Sequence, residues 1–206
     1  MAIINTLIPK QNFDLIAERI GAIITDELSN QYSLSDPKEE ILNANVYLER
    51  WVPFGDEEKA IVNIMHSSSD FENEDITQTD GENKYFIDVY ATGKHKGDDR
   101  GDSLALANLK RLLGVIRAIL MHTKYHRLGF DDPQIVNKRV VKSLSISEPQ
   151  ETRDSSYSMN GRLIFVVNAI ETELQSDPVP LGDLETKAFV KTLETENGFQ
   201  YLIEQS

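Results

Sequence analysis

The sequence predicts an α+β fold: a mostly antiparallel sheet flanked by an N-terminal helix and a long central helix, with a C-terminal β-hairpin extension. Three observations lead there. Two long segments repeat apolar residues at three- and four-residue steps, the spacing of one helix face. Several segments between and after them are runs of β-branched and aromatic residues bounded by turn formers. The chain has 206 residues with 40% hydrophobic content. That is enough for one ordinary domain burying roughly 70% of its unfolded surface, and too little for two full ones.

The elements follow in chain order. Phe13, Ile16, Ile20, Ile23, Ile24 and Leu28 set the helical step from residue 12 to 30, with Asn12 read as N-cap. Residues 32 to 43 carry Ser, Asp36 and Pro37 and read as a loop. Val46 to Trp51 reads as a strand stopped by Pro53 and Gly55, and Ala60 to Met65 as a second one. Residues 66 to 83 hold six carboxylates, three consecutive serines and few aliphatics, the composition of a long polar loop. Tyr85 to Thr92 returns to β-type residues. From Asp102 to Leu128, Leu109, Leu112, Leu113, Ile116, Ile119 and Leu120 form an unbroken helical stripe, with Asp102 or Ser103 as cap and Gly129 as stop.

Two further strands are expected at Arg139 to Ser147 and Arg162 to Glu171, joined as a hairpin by a polar loop. In the first, Val140, Lys142, Leu144 and Ile146 share one parity and Val141, Ser143 and Ser145 the other. Pro178 and Pro180 stiffen the following linker, because proline fixes φ and cannot join a ladder from within. Residues 1–174 are therefore expected to form the main domain and 175–206 a linker with a hairpin arm. Asn197-Gly198 suits a two-residue turn, which sets Leu193 opposite Leu202, Lys191 opposite Glu204 and Glu194 opposite Tyr201. Phe199, Tyr201 and Ile203 then share one face of the arm, a candidate docking surface for a neighbouring protein.

Charge and composition exclude several function classes. Asp and Glu outnumber Lys and Arg by 34 to 21, a formal charge of −13 that opposes the electrostatic grip of a general nucleic-acid binder. The absence of Cys removes disulfide frameworks, Cys-based metal centres and Cys nucleophiles together. The start MAIINTLIPKQ lacks a basic n-region, and the longest apolar stretch, LLGVIRAILM, is interrupted by Arg117, so a soluble intracellular chain with no membrane partner is expected.

Motifs that could carry chemistry are few. His122 and His126 have the i, i+4 spacing of a metal pair, without an adjacent Glu or a third ligand. Asp70, Glu72 and Glu74 imitate the start of a calcium loop, yet the sharp-turn glycine and the final bidentate Glu are missing. Arg100-Gly101-Asp102 is short enough to be chance. No phosphate-cradling loop, dinucleotide fingerprint or nucleophile elbow is present, so no catalytic, cofactor or metal residue is assigned. An enzyme alternative would be a small hydrolase holding Mg²⁺ between Asp88, Asp98 and Asp102. The segment from Lys94 to Lys142 has eleven Lys and Arg against five Asp, a local +6 in a chain whose remainder carries −19. Lys110, Arg117 and Lys124 recur there at seven-residue intervals and are the candidate interface to an acidic partner.

The run NKYFIDVYATGK, then GDSLALANLKRLLGVIRAIL, then RVVKSLSISEP and SSYSMNGRLIFVVNAIETE, gives a strand, helix, strand, strand series behind an N-terminal helix. Over residues 12 to 173 it resembles the tail terminator (tail completion) proteins of tailed bacteriophages, a family without a catalytic signature. The resemblance implies a structural virion protein of the phage neck, assembled in the host cytoplasm as a homo-oligomer, usually a hexameric ring. Such a ring caps the tail tube, ends its polymerisation and joins the tail to the head connector; a neighbouring subunit or the tail sheath would be the docking target of the hairpin arm. Genomic DNA would pass the lumen without specific binding, which an acidic wall favours. Another head-tail connector or adaptor subunit is the alternative within the same structural class.

Overall fold

The computed structural model describes residues 7–8, 10–50, 59–73, 78–94, 101–130, 135–147, 150–151, 156–172, 188–195 and 198–205. The chain divides into a unit of Pro9–Glu173 and a second one of Met1–Ile8 with Leu174–Ser206.

The first unit opens with α1 (Asn12–Leu34), which buries Ile16, Ile20, Ile23, Ile24 and Leu28, the stripe marked by the helical spacing. Asn12 is not its N-cap. Gln11 holds that position without a side-chain cap bond, and Asn12 is the first helical residue, its side-chain amide donating to the Ile170 carbonyl. The free N–H groups at the helix start are taken by a carboxylate from the far end of the domain, Glu171, which accepts from Asn12 N at 2.7 Å and Phe13 N at 2.8 Å. The helix also runs past residue 30 to Leu34, and a 3₁₀ turn at Glu40–Leu42 buries Ile41 and Leu42, so only part of residues 32 to 43 is loop.

Strands β1 (Asn45–Leu48), β2 (Ala60–Asn73) and β3 (Gln78–Lys94) come next. The first of them ends at Leu48, and Trp51, Pro53 and Gly55, its expected end and stops, lie outside the described residues. The other two overturn the expectation of a polar loop over residues 66 to 83 wherever that range is described; residues 74 to 77 lie outside the described residues. β2 and β3 form one long antiparallel hairpin in which Ser68 pairs with Lys84, Ser69 with Asn83, Asp70 with Glu82 and Glu72 with Asp80. A strand needs only one packed face, so exposed positions can be polar throughout. Here even the inward positions are polar, with Thr79 and Asn83 buried. That hides the two-residue alternation on which a sequence reading depends.

Helix α2 (Gly101–Met121) buries Leu109, Leu112, Leu113, Ile116, Ile119 and Leu120. It starts at Gly101, which places Asp102 inside the first turn, where its carboxylate accepts from Ser103 N at 2.7 Å. It ends at Met121, two turns short of Leu128, the expected end. His122 turns to extended backbone (φ −66°, ψ 136°) and leads a 3₁₀ turn at Thr123–Tyr125. Tertiary contacts win over periodicity at this point: Arg139 Nη2 donates to the His122 carbonyl at 2.7 Å, Tyr125 reaches Glu27, and Leu128 is fully buried. Gly129, at φ +73°, closes the turn that follows rather than the helix.

β4 (Lys138–Ile146), β5 (Gln150–Glu151) and β6 (Ser156–Thr172) complete the sheet. The strand order is β1-β2-β3-β6-β4 with β5 also on β6, and only β1–β2 is parallel. This is an α+β fold. Both helices lie on the sheet face that carries Val62, Ile64, Tyr85, Ile87, Val89, Leu163, Phe165 and Val167. A register shift between Val141 and Ser143 interrupts β4 and overturns the parity expected for this strand. Leu144 pairs with Leu163 and Ile146 with Gly161, so both stand on the helix side with Val141, opposite Val140.

The second unit contains one antiparallel pair, β7 (Ala188–Thr195) and β8 (Gly198–Gln205). The linker prolines Pro178 and Pro180, and Asn197 of the expected turn, lie outside the described residues. The hairpin is present, but its register differs from expectation: Leu193 pairs with Gln200, Lys191 with Leu202 and Glu194 with Phe199. Thr195 and Gly198 form the closing pair, so Gly198 belongs to the ladder. A shift of two in the pairing leaves every residue on its original face, and alternation cannot tell the two registers apart.

Candidate interaction surface

Lys110 and Arg117 are both exposed on α2, two turns apart. The side of α2 that meets α1 is formed by Arg111, Gly114, Val115, Ala118 and Ile119, which line the seam between the helices. Lys110 and Arg117 therefore occupy the opposite flank, on one stripe with Leu106 and Leu113 at three- and four-residue steps. That flank leads down to β4. A Cβ placed on Gly161 would stand 2.8 Å from Leu113 Cδ1 and 3.0 Å from the Ser145 carbonyl, so helix and sheet edge are in close contact there. Beside them Leu144 is 45% exposed and Ile146 38% exposed. The basic flank of α2 therefore runs next to exposed apolar surface at the β4 end of the sheet.

Lys124 does not join this stripe. Because α2 stops at Met121, Lys124 lies in the 3₁₀ turn and faces the inter-helix seam on the other flank. Leu144 and Ile146 are exposed apolar residues that sequence reading did not single out; the bulge places them on the helix side. Phe199, Tyr201 and Ile203 occupy alternate positions of β8, in the second unit.

Arg111 lines two of the cavities that border the helices. One, of about 420 Å³, is the α1–α2 seam; the other, of about 470 Å³, lies between α2, the end of β3 and the Glu40 turn. Their polar walls are largely matched internally. Arg111 forks onto Glu39 with bonds of 2.7 and 3.0 Å, Lys59 approaches Glu40 at 3.9 Å, and the Tyr125 hydroxyl donates to Glu27. Arg111 holds the Glu39 carboxyl below its ordinary range, and the Tyr125 bond does the same for Glu27, helped by Asn30, His122 and Lys124. Charges already paired across a seam stitch elements together rather than wait for a ligand.

The carboxylates considered for Mg²⁺ are not brought together. Asp88 lies on the sheet face away from the helices, where Arg162 grips it through Nε at 2.6 Å and Nη2 at 2.8 Å while stacking over Phe86. Asp102 stands at the start of α2, and Asp98 lies outside the described residues. His122 and His126 flank the 3₁₀ turn instead of sharing a helix face. Among the described residues no group of three or more His, Asp or Glu could hold a metal ion, and no helix is long and apolar enough to cross a membrane.

No protein-family model matches the chain, and no curated protein resembles it closely enough to count as a relative.

Proposed function

We propose that this chain is a structural subunit of a bacteriophage neck, a tail terminator that assembles as a hexameric ring on the head-proximal end of the tail tube. In that role it ends tube growth and presents a surface to the head connector, with no catalysis and no cofactor. The observation that supports the reading is the order β3, α2, β4, β6 within one mostly antiparallel sheet, the same order on which the family resemblance rests. The exposed Lys110 and Arg117 supply a basic surface on an acidic chain, as head-to-tail contact between unlike patches requires. The net charge of −13 suits a lumen along which DNA slides without sticking.

The test is particle mass across concentrations together with negative-stain images, with and without tail-tube subunits. The expected result is a closed ring that seats on tube ends and halts their elongation. A strict monomer under all these conditions overturns the proposal.

A further inference from the structure

The uncovered β4 edge has a counterpart at the other end of the sheet. On α1, the residues facing α2 are Glu27, Asn30 and Gln31. Asp14, Glu18, Gly21 and Thr25, at steps of four, three and four, run along the flank turned away from α2. That flank rests on β1: a Cβ on Gly21 would stand 3.1 Å from Leu48 Cδ2. β1 is the terminal strand, and Leu48 is 44% exposed. Lys10 pairs with Glu18, which leaves two carboxylates against one amine on this flank. Beyond β1, the outer edge of β2 has no strand partner among the described residues and carries exposed Asp70 and Glu72 on the sheet face away from the helices.

The two ends of the domain thus match as opposites. One offers Lys110 and Arg117 on the helix flank next to Leu144 and Ile146, and neither cation has a partner among the described residues. The other offers Glu18 and Asp14, about one and two turns before the Gly21 that packs on Leu48. Each combines exposed aliphatic surface at a terminal strand with charge on the adjoining helix flank, and the charges are of opposite sign. Because the surfaces differ and lie at opposite ends of one sheet, they cannot satisfy each other within a chain. They can do so between copies related by a rotation, which is a heterologous contact.

We infer that the α2/β4 edge of one copy docks on the α1/β1 edge of the next. The occupant of the basic edge is a second copy of this chain, and the contact propagates head to tail. This rests on the self-association in the proposed function and adds which surfaces make it; nothing in it depends on a phage partner.

The experiment uses two full-length double variants, K110E/R117E and D14K/E18K, each checked for an unchanged circular dichroism spectrum and cooperative melting. Sedimentation at low and high salt reads their association. Each variant alone then carries like charge on both edges and is expected to weaken association about tenfold or more at low salt, with a smaller factor at high salt. Mixed in equal amounts the two should associate again, since each altered edge meets an altered edge of opposite sign. If either variant alone assembles as tightly as the wild type, or the folded pair fails to recover on mixing, this inference is overturned while the ring reading stands. If the wild type itself never associates, both fail. A variant that misfolds is replaced by its single change, R117E or E18K, read in the same way.

Discussion

The carboxylate of Glu171, at the end of β6, accepts the backbone N–H groups of both Asn12 and Phe13, 159 and 158 residues away in sequence. A strand end thereby acts as the cap of the first helix, in place of the missing cap at Gln11. Glu171 is only 5% exposed, and its charge sits at the positive end of the helix dipole. Replacing it removes two charge-assisted bonds and orphans two donors. Glu171→Ala is expected to cost about 2–3 kcal/mol by urea unfolding, and Glu171→Gln less, since one amide oxygen can still accept. Equal costs for the two variants would show that the carboxylate is not acting as a two-oxygen cap.

Two glycines separate close approach from mere permissiveness. A Cβ on Gly93 would fall 2.3 Å from the Gly101 carbonyl and 2.4 Å from Ala105 N, both backbone atoms that anchor α2 on β3. Gly93→Ala must part the helix from the strand, an expected loss of about 2 kcal/mol or more. Gly114, exposed in the middle of α2, meets nothing within 4 Å. Gly114→Ala is expected to gain about 0.5–1 kcal/mol through lower chain entropy and better helix propensity. Denaturant midpoints measure both, and a stabilised Gly93→Ala would contradict the contact described.

How far the sequence foretells this structure depends on which side of each element carries the signal. Both helices are legible because Ile16, Ile20 and Ile24 in the first, and Leu109, Leu112 and Ile116 in the second, are all buried at the spacing the chain displays. The β2–β3 hairpin is not, because its inward Thr79 and Asn83 are as polar as its outward Asp70 and Glu72. The end of α2 is hidden for another reason. At Met121 the His122 ring accepts from Lys124 N at 3.2 Å in a turn that apolar spacing does not announce, and Arg139, from β4, and Glu27, from α1, bind the residues just beyond the helix. Of the candidate surface, Lys110 and Arg117 are visible as charges on a helix, whereas Leu144 and Ile146 require knowledge of one bulge.

The Asp88–Arg162 pair offers a test of asymmetry. Asp88 has only 8% of its side chain exposed, while Arg162 keeps 40%. Removing the arginine leaves a buried carboxylate without its counter-charge, and removing the acid leaves a guanidinium that can still reach water. Arg162→Met is therefore expected to cost about 2–3 kcal/mol, less than for a fully buried pair, and clearly more than Asp88→Asn. The reverse order in unfolding experiments would mean that Asp88 is better solvated than its position implies.

Glu27 links stability to pH through one bond. The Tyr125 hydroxyl lowers its pKa from an ordinary 4.5, so the folded state binds its proton less readily than the unfolded chain. A depressed acid contributes stability that is complete above the unfolded pKa and is lost as pH falls through the folded one. Tyr125→Phe removes the main cause of the shift. The stability difference between wild type and variant should therefore be constant near neutrality and shrink below about pH 4.5. A difference that stays level down to about pH 3 would mean the loss is one of packing alone.

The register of the C-terminal hairpin can be read chemically, because the chain has no cysteine to confuse the result. Thr192 stands directly opposite Tyr201 in the ladder, whereas Leu193 stands opposite Gln200 and is offset by two residues from Leu202. Directly opposed residues of an antiparallel pair bring their Cα atoms to about 4.5–5.5 Å, within the span that a disulfide bridges. Offset by two residues, the Cα atoms lie near or beyond the limit of roughly 7 Å. Under mild oxidation T192C/Y201C is expected to cross-link within the monomer, and L193C/L202C is not. The opposite outcome would restore the turn at Asn197-Gly198 and move Gly198 out of the ladder. Either register leaves Phe199, Tyr201 and Ile203 on alternate positions of one strand, so the experiment decides which partners they have across the ladder without altering the face they share.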